Sequence, residues 1–149
     1  MKPVLFLIGL FLLAMNVRGE IKLPSLISSG MVLQRNQPLK IWGWAEINEE
    51  VTITFRHKTY FTKAGADKTW VVTIGPQLAG GPYTMQINNT KIDDLFIGDV
   101  WLCSGQSNME AVMGRPNIKA NYTRIIEESD YPKIRQFTVK RDMAFNPLS

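Results

Sequence analysis

Val51-Thr52-Ile53-Thr54-Phe55 decides the fold of the first part of this chain. Apolar and polar side chains alternate strictly, which puts Val51, Ile53 and Phe55 on one face of a strand and both threonines on the other. Outward from it the same grammar repeats. Leu39 to Ala45 (Leu-Lys-Ile-Trp-Gly-Trp-Ala), Thr59 to Lys63, Thr69 to Ile74 and Tyr83 to Ile87 read as further short strands. Asn48-Glu49-Glu50, Gly65-Ala66-Asp67, Gly80-Gly81-Pro82 and Asn88-Asn89 supply turn signals between them. Short strands at this spacing, without a helical period, predict an antiparallel β-sandwich over residues 20–97.

At Gly98 the character changes. Asp99-Val100-Trp101-Leu102-Cys103 is nearly continuous in apolar residues, as suits a strand buried on both faces. The polar turn Ser104-Gly105-Gln106-Ser107-Asn108 follows. Met109 to Met113 could open a helix, but Gly114-Arg115-Pro116 interrupts it. Asn121 to Glu128 places Tyr122, Ile125 and Ile126 at helical spacing, and Tyr131-Pro132 ends that helix. Ile134 to Val139 reads as a strand, so residues 98–149 are expected to begin a β-α-β unit.

The N-terminus carries Met1-Lys2 and then an apolar run from Val4 to Met15. Those 12 residues would rise about 18 Å as a helix, short of a hydrocarbon core of about 30 Å. Residues 1–19 therefore read as a signal peptide cleaved after Gly19, the alternative being an uncleaved anchor. The formal charge of the whole chain is 17 − 13 = +4, and losing Lys2 and Arg18 leaves 15 − 13 = +2. No Lys/Arg run exceeds two residues, so the charge argues against a nucleic-acid partner. One Cys and one His exclude a disulfide scaffold and a multi-Cys or His-rich metal site. Asn88-Asn89-Thr90 and Asn121-Tyr122-Thr123 match the N-glycosylation acceptor pattern, which has meaning in a eukaryotic host alone.

Chemistry concentrates in Gly98 to Glu110. A serine on the turn between a buried strand and a helix would expose its Oγ at a sheet rim, near backbone N–H groups able to meet an oxyanion. Gly105 would let the chain turn without a Cβ clash. Met109 stands where the second Gly of a G-x-S-x-G elbow would be. From the residues alone, a helix cap is the commoner use of such a turn. Asp99 and Glu110 flank it as orienting acids, or as a strand-opening and a first-turn helix acid. His57 reads as a partly exposed residue at a strand end, and Cys103 as a small side chain in a buried strand. Trp42, Trp44 and Trp70 read as core or as a sugar-stacking platform.

The string Gly98-Asp99-Val100-Trp101-Leu102-Cys103-Ser104-Gly105-Gln106-Ser107-Asn108-Met109 closely resembles the first sequence block of the sialate O-acetylesterase family, a branch of the SGNH (GDSL-like) hydrolases. Met31 to Arg35, Ile41 to Ala45 and Gly80 to Tyr83 look like that family's N-terminal β-domain, and Pro132 to Phe137 like its next strand. The resemblance spans about residues 22–140. It implies an N-terminal β-sandwich followed by the truncated start of an α/β SGNH-hydrolase domain. It also implies a secreted, lysosomal or periplasmic carboxylic ester hydrolase that removes O-acetyl groups from sialic acids or other acetylated glycans. Ser107 falls on the family nucleophile, and its backbone N–H on an oxyanion donor. No cofactor and no membrane span after signal cleavage are implied. The family's base His, its acidic partner and further oxyanion donors belong to later blocks that this chain lacks, so the chain alone is expected to be inactive. The alternatives are a non-catalytic glycan-binding or interaction module, or a gene fragment.

Overall fold

The computed structural model describes residues 19–139, so all of the expected signal peptide except Gly19 lies outside the described residues. Seven strands and one helix follow in order: β1 (Val32–Gln34), β2 (Leu39–Trp44), β3 (Glu50–Phe55), β4 (Lys58–Lys63), β5 (Thr69–Ile74), β6 (Gly80–Ile87), β7 (Thr90–Gly98) and α1 (Pro116–Glu127). β2 and β5 form a two-stranded antiparallel sheet, and the other five form a sheet ordered β1-β7-β6-β3-β4. Alternation does what it predicts. Val51, Ile53 and Phe55 of β3 are buried, as are Leu39 and Ile41 of β2, and Trp70, Val72 and Ile74 of β5. They join Met85, Ile87, Ile92, Leu95 and Ile97 in one core shared by both sheets. Burying this set supplies the main favourable term of folding.

Three features of the β part depart from the sequence reading. The five-stranded sheet is mixed, because β1 runs parallel to β7 with Val32 opposite Phe96 and Gln34 opposite Gly98. β7 itself has no period-two pattern, since Ile92, Leu95 and Ile97 are the buried positions. The cause is a bulge. Met85 pairs with Ile92 and Tyr83 with Leu95, so β7 spends one residue more than β6 between these pairs. Asp94 lies in the left-handed region at φ 58, inside that step. Third, Gly80-Gly81-Pro82 is not a turn but the irregular start of β6, where the register shifts again. Gly81 sits at φ 135, and a Cβ there would fall 2.8 Å from the Leu95 carbonyl and from the Phe96 ring. Only glycine tolerates both conditions.

The second part departs further. Val100 to Cys103 is irregular and exposed, with Trp101 84% and Leu102 93% accessible. Ile134 to Val139 is irregular as well. A strand satisfies its N–H and C=O groups through a neighbouring strand, and none lies beside either stretch among the described residues. The expected β-α-β unit is thus present as its helix alone. That helix starts earlier than expected. Pro116, read as an interruption, is instead the first helical residue, where its fixed φ fits and its missing N–H costs nothing. α1 bends at Tyr122 (φ −129, ψ 21) and has no buried residue. No described helix is long and apolar enough to cross a membrane.

Candidate active site

The chain leaves β7 at Gly98 and is held at once to the sheet edge. Asp99 accepts from Arg35 Nε at 2.9 Å, and the Val100 N–H donates to Gln34 Oε1 at 2.9 Å. Asp99 is therefore an anchor to the residues at the end of β1, a role that neither sequence reading assigned to it. Beyond it, the Met109 N–H donates to the Gln106 carbonyl at 2.9 Å, closing a turn with Ser107 and Asn108 at its two central positions. Ser107 is exposed and caps no helix, since α1 begins nine residues later with Arg115 at its N-cap. Among the described residues, neither the Ser107 hydroxyl nor its N–H has a hydrogen-bond partner. Central residues of such a turn leave their donors pointing outward. A hydroxyl and a free N–H on one residue are what acyl transfer needs of a nucleophile and an oxyanion donor. The Met109 side chain covers Gly105: a Cβ there would fall 2.5 Å from Met109 Cγ, so that side chain would have to shift.

The remaining sequence-marked residues fall elsewhere. Glu110 lies on an exposed turn, not in a first helical turn. Cys103 is exposed, not in a buried strand. His57 is not at a strand end: with Arg56 it forms the two-residue tip of the β3–β4 hairpin, at φ 65 and 46. Both residues in the left-handed region match the twist of the flanking strands. Trp70 is core at 3% exposure, whereas Trp42 and Trp44 (39% and 37%) lie on the outer face of β2. The three tryptophans are thus split between the two faces of the sheet. Lys22 Nζ lies 5.7 Å from the Trp44 ring centroid.

The two glycosylation-pattern asparagines differ sharply. Asn88 is half-buried, accepts the Thr52 N–H at 2.8 Å and donates Nδ2 to the Glu50 carbonyl at 3.2 Å, so it fastens the β6–β7 turn to β3. Asn121 is exposed on α1, with Nδ2 donating to the Asn117 carbonyl at 3.1 Å. Among the described residues, no three His, Cys, Asp or Glu side chains cluster as a metal site would require.

Sequence reasoning missed Arg135. Its guanidinium reaches back to β7, pairing with Asp94 Oδ2 at 2.6 Å. That bond holds the Asp94 carboxyl below its usual range, and the same contact raises Arg135. Its one local signal is its place inside Pro132 to Phe137, where the apolar residues point to a strand and say nothing of a partner for the charge.

A mainly β chain followed by an exposed serine turn has a counterpart in a carbohydrate acetylesterase. A carbohydrate acetylesterase from Xanthomonas citri, known from its crystal structure, matches with a TM-score of 0.58 at 40% identity, over 61% of this chain and 22% of its own. No family model matches the chain. The sialate O-acetylesterase of Homo sapiens is 37% identical over 58% of this chain, that of Mus musculus 32% over 77%, and that of Rattus norvegicus 30% over 95%. This chain belongs to the sialate O-acetylesterase family. It spans 19%, 24% and 30% of the lengths of those three relatives.

Proposed function

We propose that this sequence belongs to a secreted serine O-acetylesterase acting on O-acetylated sialic acids or related acetylated glycans, with Ser107 as nucleophile. Residues 1–19 would be its leader, residues 20–97 an accessory β-sandwich, and Gly98 onward the opening of an α/β hydrolase domain. The observation that carries the reading is Ser107 itself. It stands exposed on the Gln106–Met109 turn, with hydroxyl and N–H both free among the described residues. The names of the relatives supply the chemical class.

In the reaction, Ser107 Oγ attacks the acetyl carbonyl carbon and the Ser107 N–H receives the developing oxyanion. The ester C–O bond breaks, the sugar oxygen takes a proton, and water then releases acetate from the acetyl-enzyme. A serine hydroxyl needs a base to do this at neutral pH. The one histidine of the sequence, His57, stands at the tip of the β3–β4 hairpin, so these residues alone are expected to turn over very slowly. The Trp42 and Trp44 faces and the Asn121 acceptor add nothing to the catalytic assignment.

The test is acetate release from O-acetylated sialic acid by the full-length protein carrying this sequence. Ser107→Ala is expected to lower kcat by roughly 10⁴-fold or more. Turnover equal to that of the parent would overturn the assignment.

A further inference from the structure

Two tethers bracket the segment that bears Ser107. The first is the Arg35–Asp99 pair with the Gln34–Val100 bond, where the segment leaves the sheet. The second lies after α1. Arg135 Nη1 donates to Asp94 Oδ2 at 2.6 Å, to the Gly30 carbonyl at 3.2 Å and toward the Asp94 carbonyl at 3.4 Å. Its guanidinium carbon stands 4.8 Å from the centroid of the Phe96 ring. The side chain is 24% exposed, against values of 45% to 88% for the other cations in described ion pairs.

The receiving surface is shaped for this group. Asp94 is the bulge residue of β7, at φ 58, so its carbonyl and carboxylate turn out of the ladder together. Gly30, at φ 84, leaves room for the guanidinium: a Cβ there would lie 3.1 Å from Arg135 Nη1. The two glycine and bulge elements are themselves joined, since the Gly30 N–H donates to the Asp93 carbonyl and Ser29 Oγ accepts the Asp93 N–H, each at 3.0 Å. All of these hydrogen bonds come from Nη1, and it is the guanidinium lying over the Phe96 ring that a lysine's compact ammonium would not reproduce.

We propose that Arg135 is a positioning residue, a latch that returns the chain to the β7 bulge and so sets where the Ser107 turn stands against the sheet. Residues 101–134 are then a closed loop held at both ends by the β1–β7 side of the sheet. The consequence for catalysis rests on the Ser107 reading above; the latch itself does not.

The experiment has two arms. In the 149-residue chain, hydrogen exchange is followed in peptides covering 116–137 and in those of β3. Arg135→Gln is expected to speed exchange in 116–137 by about fivefold or more, as local opening becomes easier, while β3 stays unchanged. Asp94→Asn, which keeps a residue tolerant of the left-handed region, is expected to act in the same direction and non-additively with it. Arg135→Lys is expected to recover part of the protection, and with Asp94→Asn it carries the test should Arg135→Gln not fold. No change in 116–137, or an equal rise in β3, would overturn the latch. In the full-length protein, Arg135→Gln is expected to lower kcat about tenfold or more with KM within about twofold, the pattern of a misplaced reacting group. If Ser107→Ala leaves turnover intact, the nucleophile assignment falls and the exchange result still stands. If Ser107→Ala abolishes turnover while Arg135→Gln changes neither kcat nor exchange, the latch falls alone.

Discussion

Two stretches of this chain have similar apolar content and opposite fates. In β3, Val51, Ile53 and Phe55 are all essentially inaccessible, whereas in Val100-Trp101-Leu102 every residue is more than half exposed. Every buried apolar residue of the described chain lies between Ile27 and Ile97. The difference is partnership. β3 has β4 on one side and β6 on the other, and the facing sheet below it. Val100 to Cys103 has one backbone bond, to the Gln34 side chain, and no strand alongside among the described residues. An apolar run is a request for burial, and a neighbouring ladder is what grants it.

Substitutions should sharpen that contrast, the largest on the β side. Phe55→Ala is expected to cost about 3–5 kcal/mol, read as a lower urea midpoint for loss of strand signal. Gly43→Ala comes next. Its Cβ would meet the Lys22 carbonyl at 2.5 Å and the Trp70 ring at 2.8 Å, an overpacking expected to cost about 1–3 kcal/mol in the same unfolding measurement. Asn88→Ala removes two bonds that lash the β6–β7 turn to β3, at about 1 kcal/mol for each.

Acid offers a probe that touches both regions. Hydrogen bonds from the Thr69 backbone hold Asp67 below its ordinary 3.8, the Thr84 hydroxyl does so for Asp93, and Arg135 does so for Asp94. A carboxyl depressed in the folded state contributes fully above 3.8 and loses that contribution as pH falls through its lower folded value. Unfolding followed from pH 6 down to about pH 2 should therefore show stability constant at first and declining from near pH 4. Arg135→Gln should remove the Asp94 share of that decline and leave the Asp67 and Asp93 shares. At the bottom of the scale, Leu102→Ala is expected to change stability of this chain by less than about 0.5 kcal/mol. A cost near that of Phe55→Ala would show that the two stretches are packed alike after all.

Legibility followed the same line. β2, β3, β4 and β5 were readable within a residue or two: β3 by its plain period of two, β5 as a β-branched run, and β2 and β4 as short stretches set between turn signals. β7 was invisible because the Asp94 bulge moves its buried positions to 92, 95 and 97, and β1 because three half-buried residues carry no period. Pro116 misled as a breaker where position makes it a starter. Of the candidate site, Ser107 and its turn were legible through the Gly98 to Met109 string. Arg135 was not, since its partners Asp94 and Gly30 lie 41 and 105 residues away.

The sequence by itself determined which strands alternate, where the turn bearing Ser107 falls and which family the chain resembles, because each is written in local order. Tertiary structure alone decided that β1 runs parallel to β7, that Val100 to Cys103 stays open, and that Arg135 closes onto the β7 bulge. These depend on which distant groups meet, and the energy of a ladder or an ion pair exists only once both partners are in place.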